Sequence, residues 1–172
     1  LDQTRLHDNY EAVLKAVSDV DKKHSDTAGR VLRLLQAFND ELGEDYKLFD
    51  YYGHQEPESV LVVFGTVEAS LTAQVANALS KDGDKVGVIN VRVYRPFVEE
   101  AFLEVLPKST RRIAVLGQVK DEAAVLDPAE YSRLYSAVLA TIQFAFDRDV
   151  EVTDVKYSRE QVWTPSNFLD AF

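Results

Sequence analysis

Three short apolar runs constrain the fold of this 172-residue chain more than any other feature. They begin at Val60, Val86 and Ile113, and segments with apolar residues at helical spacing separate them. A continuous apolar run of this length is typical of a strand covered on both faces, as in parallel sheets. Because right-handed crossovers join such strands, the pattern predicts an α/β fold with three layers: a mostly parallel sheet with helices on both faces.

The predicted elements of this sheet domain follow the order βαβαβαβ. Strands are expected over residues 60–64, 86–93, 113–116 and 150–155, the last at a sheet edge. Helices are expected over residues 67–80, from Pro96 to 106, over 129–146, and from Pro165 onward with Phe168, Leu169 and Phe172 packed down. The segment 129–146 carries almost no charge, which predicts a helix that is buried all round or faces a partner domain.

Two segments precede the predicted sheet domain, which we assign to residues 60–172. Residues 1–45 form a helical arm or the end of a preceding domain, with helices expected over 10–20 and from Asp26 to Leu42, before Gly43. Residues 46–59 break both periodicities and are interpreted as a connector. Their aromatic side chains bring too much apolar surface to be left in water, so the connector is predicted to be ordered.

Composition excludes several classes of function. The formal net charge of -10 repels phosphate backbones and anionic lipid, so neither nucleic acid nor a membrane is an expected partner. The chain has no cysteine, which rules out disulfides, thiolate zinc sites and iron–sulfur ligation by its own residues. It has no signal-like segment, so we expect a soluble intracellular protein. It also lacks methionine and begins at Leu1, which favours a fragment of a longer polypeptide.

One candidate site lies where the predicted parallel strands end. Ligands approach the carboxyl ends of strands in such sheets, and Gly65, Thr66, Arg95 and Gln118 follow the first three strands. Backbone amides at a helix N-terminus beside an arginine could bind an anion. Alternatively, the glycines only permit tight turns and Arg95 belongs to an interdomain surface. Neither a glycine-rich phosphate loop nor a nucleophile motif is present, so no catalytic, cofactor-binding or metal residue is predicted.

The histidines do not suggest a catalytic base or a metal site. His7, His24 and His54 lie in the arm and the connector, far along the sequence from the predicted strand ends. No spacing of histidine and carboxylate residues is typical of metal ligands. We therefore interpret all three histidines as surface or packing residues.

Several runs resemble known oxidoreductases. Residues 46–69 (YKLFDYYGHQEPESVLVVFGTVEA), 85–97 (KVGVINVRVYRPF) and 106–118 (LPKSTRRIAVLGQ) resemble pyruvate:ferredoxin oxidoreductases where a transketolase C-terminal-like domain begins. Residues 157–165 (YSREQVWTP) are similar to the flavoprotein subunits of fungal NADPH-dependent sulfite reductases, which carry such a module at their N-terminus. The segment after Gly117 departs from the pyruvate enzymes, which have a glycine-rich segment there.

The resemblance to the fungal subunits implies a transketolase C-terminal-like fold and a structural or docking role without catalytic residues. It implies a cytoplasmic parent of sulfur assimilation and cysteine biosynthesis that uses NADPH, FAD and FMN, with no cofactor in this chain. The implied partners are the neighbouring domains and the sirohaem hemoprotein subunit, and the resemblance leaves room for further copies in a homo-oligomer. The alternative is a domain of a pyruvate:ferredoxin oxidoreductase, which uses thiamine diphosphate and iron–sulfur clusters. A third hypothesis is an independent anion-binding protein.

Overall fold

The computed structural model describes Ala12, Lys15 and residues 26–145, 149–169 and 171–172. Its contacts divide the chain into two units, residues 1–46 and 47–172. In the first unit, helix α1 (Thr27–Leu42) ends as predicted at Gly43, whose φ of 69° is left-handed. The Asn39 amide then binds both backbone groups of Tyr46, at 2.8 and 3.0 Å. The helix predicted over residues 10–20 lies almost wholly outside the described residues.

The second unit is built on a five-stranded sheet. Its strands are β1 (Phe49–Gly53), β2 (Ser59–Val63), β3 (Val86–Val91), β4 (Arg112–Val119) and β5 (Glu151–Ser158). They lie in the spatial order β1-β3-β2-β4-β5, with β2 to β5 parallel and β1 antiparallel to β3. The three apolar runs therefore lie side by side and point the same way, as predicted, and β5 is at an edge.

Helices cover both faces of this sheet. They are α2 (Thr66–Lys81), α3 (Glu99–Val105), α4 (Glu122–Leu126), α5 (Arg133–Phe144) and α6 (Pro165–Leu169). On one face, Ala76 of α2 and Phe168 of α6 are fully buried in a cluster that includes Leu116. Gly117 points to the opposite face, where it meets Ser132 at the start of α5. None of the helices in the described ranges is long and apolar enough to cross a membrane.

The predicted connector over residues 46–59 needs correction, because it contains strand β1. Phe49 is 1% exposed, and its ring lies 5.1 Å from that of Phe97 and 5.5 Å from that of Phe102. The alternation along FDYYG is too short to stand out as a strand pattern, and its pairing partner β3 lies far along the chain. The aromatic residues are indeed held in place, but as part of the sheet.

Other boundaries also differ from the predictions, among them the end of β5, which continues to Ser158 beyond the predicted 155. Strand β3 ends at Val91 instead of 93, where the next two backbone N–H groups turn to Leu48 O. Helix α3 begins at Glu99 and not near Pro96, because Val98 is extended (φ -94°, ψ 99°). Strand β4 continues through Gly117 to Val119.

The helix predicted over residues 129–146 is not buried all round, and the alternative, that it faces a partner domain, stays a prediction. The helix there is α5, and its buried residues Leu134, Val138, Thr141 and Ile142 form one stripe. Phe144 is 67% exposed, which is compatible with an end of the helix in water. In α6, Leu169 is likewise 52% exposed, although Phe168 is buried as predicted.

Candidate functional site

The carboxyl ends of β2, β3 and β4 form the edge of the sheet at which ligands are expected. Gly65 follows β2 and caps α2 with φ 141° and ψ 153°, a backbone conformation that side chains disfavour. Thr66 is the first residue of α2 and is exposed. Of the four predicted site residues, only these two lie where an anion would bind at a helix N-terminus.

A carboxylate of the chain itself already occupies this helix N-terminus. A Cβ at position 65 would overlap the Glu68 carboxylate, which folds back over Gly65 from the first turn of α2. The hydroxyl of Tyr157 donates a hydrogen bond to Glu68 Oε1 at 3.0 Å. Because a negative charge at this end of a helix is favourable, Glu68 satisfies the position that a bound anion would take. An external anion would meet its repulsion.

The Tyr157 hydroxyl is held in its protonated, donating form. Burial, and then the negative charge of Glu68 and the hydrogen bond to it, raise the pKa of Tyr157 above its usual value. The ring also packs edge-on against Trp163, with centroids 4.9 Å apart. The pair of Tyr157 and Glu68 thus ties the end of β5 to the start of α2.

The four predicted site residues do not line one cavity. A cleft of about 540 Å³ lies between α2 and the carboxyl end of β3. Gly65, Thr66 and Arg92 are among the residues that line it, whereas Arg95 and Gln118 are not. Gln118 is exposed near the end of β4, in register with Tyr157. Arg92, and not Arg95, faces this cleft, and its guanidinium binds Asp50 Oδ2 at 2.5 and 2.9 Å.

Arg95 lies outside this cleft, and its guanidinium stacks on the ring of Tyr94. Its guanidinium carbon lies 4.0 Å from the centre of the Tyr94 ring, which in turn lies 5.4 Å from the ring of Phe64. Phe64 is 46% exposed. We call Phe64, Tyr94 and Arg95 the aromatic–arginine stack. It places a cation and two aromatic rings at the carboxyl edge of β2 and β3.

Polar groups beyond β4 are used to hold the chain together. Ser132 caps α5 by accepting from Tyr135 N–H, and its own N–H and hydroxyl each donate to the Asp154 carboxylate at 2.7 Å. Lys156 Nζ donates to three backbone carbonyls, those of Ala124, Asp127 and Glu130. These bonds fix the loops around α4, so the serine and aspartate have a structural explanation.

Sequence reasoning missed Glu68 and Tyr94 as members of this edge. Glu68 lies three residues after the cap Gly65, a spacing that brings a side chain back to a helix N-terminus and could have identified it. Its contact with Tyr157, however, spans 89 residues and leaves no local signal. In the described ranges, no group of three histidine or carboxylate side chains could hold a metal ion.

Known proteins were compared with the chain, and no family model matches it. It is 40% identical to the pyruvate-flavodoxin oxidoreductase of Rhodospirillum rubrum over 99 residues, 55% of this chain and 8% of that protein. It is 32% identical to the sulfite reductase [NADPH] flavoprotein component of Saccharomyces cerevisiae over 132 residues, 77% of this chain and 12% of that protein. A solved 2-oxoglutarate:ferredoxin oxidoreductase from Magnetococcus marinus aligns with 84% of this chain and 23% of its own, at a TM-score of 0.48 and 13% identity.

The chain is thus an α/β domain whose sequence is similar to parts of pyruvate-flavodoxin oxidoreductases. The sulfite reductase flavoprotein component of yeast shares the likeness at lower identity. The chain spans about a tenth of the length of either of these two relatives.

Proposed function

We propose that this chain is a non-catalytic docking module of the flavoprotein subunit of an NADPH-dependent assimilatory sulfite reductase. The observation that carries the proposal is the state of the carboxyl edge. Glu68 fills the N-terminus of α2, where the sequence predicts a candidate anion site, whereas Phe64 and Arg95 of the aromatic–arginine stack are exposed. Aromatic side chains and arginine are enriched in protein interfaces, so this edge suits a protein better than a phosphate-bearing cofactor.

The parent enzyme would pass electrons from NADPH through FAD and FMN, held by other domains, to a sirohaem hemoprotein subunit. That subunit would reduce sulfite to sulfide in the cytoplasm. The module would hold neighbouring domains or subunits, including the hemoprotein, and could take part in a homo-oligomer. The likeness to the yeast flavoprotein component over 77% of the chain supports this parent, and pyruvate enzymes match over a similar share.

The second candidate is a domain of a thiamine-diphosphate-dependent pyruvate:ferredoxin oxidoreductase. The observation that favours it is the higher identity, 40%, to the Rhodospirillum rubrum enzyme. In this case the domain would help to enclose a cofactor site formed with other domains of the same polypeptide.

Calorimetric titration of the 172-residue chain with FMN, FAD, NADPH and thiamine diphosphate tests the first proposal. We expect no micromolar binding of any of the four, because Glu68 repels phosphate groups at the carboxyl edge. Saturable binding of thiamine diphosphate would contradict the proposal and favour the second candidate. The sequence beyond Phe172 separates the parents independently: flavin and NADPH motifs are expected for the first, and cysteine-rich cluster motifs for the second.

A further inference from the structure

The aromatic–arginine stack has the composition of an interface hot spot. Arg95 donates to the Tyr94 hydroxyl at 3.1 Å and lies against the ring, so its side chain is held in one orientation although it is exposed. Val67, in the first turn of α2, is 54% exposed and lies three residues after Phe64. Arginine and aromatic residues contribute most to binding when a partner excludes water from them. The stack is therefore prepared to bind at a small cost in side-chain entropy.

Arg95 has no carboxylate at ion-pair distance in the described part of the chain, as is also true of Arg159, but its guanidinium is in addition held against the ring of Tyr94. Other cations of this unit do lie within 3.3 Å of a carboxylate, among them Lys85, Arg92 and Lys120. In a chain with a formal net charge of -10, a positioned arginine without a counter-charge is a specific feature. Its complement is a carboxylate on another molecule.

Two classes of macromolecule fit this surface poorly. Nucleic acids and anionic membranes would meet the strong negative charge of the chain, and a single arginine does not offset it. Unpaired bases can stack on aromatic rings, but the negative charge of the chain opposes the phosphates that accompany them. A protein segment satisfies both features, because one side chain can pair with Arg95 while its neighbour covers Phe64.

We infer that the aromatic–arginine stack docks a protein segment in which an aspartate or glutamate adjoins an apolar side chain. This inference deepens the proposed docking function and rests on it for the role of the contact. It names the chemistry of the partner: a carboxylate paired with Arg95 and an apolar group seated on Phe64. We assign the segment to another domain or subunit of the parent assembly, because a second copy of this chain would bring the same net charge of -10 to the stack. Any homo-oligomer contact would use a different surface.

Zero-length carbodiimide cross-linking tests the inference, because it joins a carboxylate to an amine only when the two are in contact. Arginine does not react, but R95K places an amine at the same position and keeps the positive charge. R159K, at an exposed arginine outside the stack, is the matched control. The full-length assembled protein would be treated, and peptides containing residue 95 or 159 would be identified by mass spectrometry.

We expect R95K to give several-fold more intermolecular or interdomain coupling at its site than R159K, to a carboxylate beside an apolar residue. Adding F64A should lower the yield several-fold. Equal yields for R95K and R159K, or coupling only within this chain or between two copies of it, would overturn the inference. If R95K couples to a domain with cysteine-rich cluster motifs, the docking chemistry stands and the sulfite reductase parent falls. If the parent reduces sulfite but R95K does not couple, the sulfite reductase parent stands and the docking chemistry falls.

Discussion

Replacement of Gly117 by alanine is expected to destabilise the sheet unit by about 2–3 kcal/mol, within the range for overpacking of a well-packed interior. The added Cβ would overlap the Ser132 side chain and lie 2.8 Å from Asp154 Oδ1. Ser132 is 2% exposed and is fixed by its cap to α5 and by its two bonds to Asp154. Since none of these groups can move without breaking a bond, the strain falls on the contact between β4 and α5. Urea unfolding followed by circular dichroism measures the change.

The matched control for this substitution removes the side chain that takes up the space. S132G alone should cost about 1 kcal/mol, because it loses the cap and a hydrogen bond to Asp154. In the double variant G117A/S132G, the new Cβ has room, so the combined loss should be smaller than the sum of the single losses. Strict additivity would show that Ser132 is not what makes alanine unfavourable at position 117.

Truncation of Phe49 to alanine should have the largest effect on stability, about 3–5 kcal/mol, as is usual for a buried phenylalanine. Phe49 is 1% exposed and forms edge contacts with Phe97 and Phe102, so the change leaves a cavity at the edge of the sheet. F144A is the matched control, since Phe144 is 67% exposed and should lose less than about 0.5 kcal/mol. Similar losses in both variants would mean that β1 is not part of the cooperative unit.

Strands β2, β3 and β4 could be predicted because each corresponds to a continuous apolar run in the sequence. Val60, Val86 and Ile113 begin apolar runs whose burial on both faces has few other solutions. Strand β1 could not be recognised in the same way, because five residues with one clear alternation identify a strand only once β3 is beside them. The sequence predicts that the third strand ends before Gly117, whereas β4 continues through it. A glycine is required there because Ser132, which lies in a different element, fills the space that a Cβ would take.

The sequence predicts the edge of the sheet at which the candidate residues lie, but not which of them share a cleft. The strand ends were correctly expected at one edge, and Gly65 and Thr66 do share a cleft there. The occupation of the α2 N-terminus by Glu68 depends on Tyr157, whose position only the folded sheet determines. The orientation of Arg95 depends likewise on the neighbouring ring of Tyr94. Residue types thus predict a candidate edge, and three-dimensional contacts determine which side chains are exposed there.

The proposed docking role is tested most directly by two activities of the proposed full-length flavoprotein measured side by side. One is the NADPH-dependent reduction of ferricyanide, which needs only the flavins, and the other is sulfide formation with the hemoprotein subunit. Charge reversal in R95E should lower the ratio of sulfide formation to ferricyanide reduction several-fold, while R159E leaves the ratio unchanged. An unchanged ratio in R95E, or a preparation in which sulfide is never formed, would contradict the account.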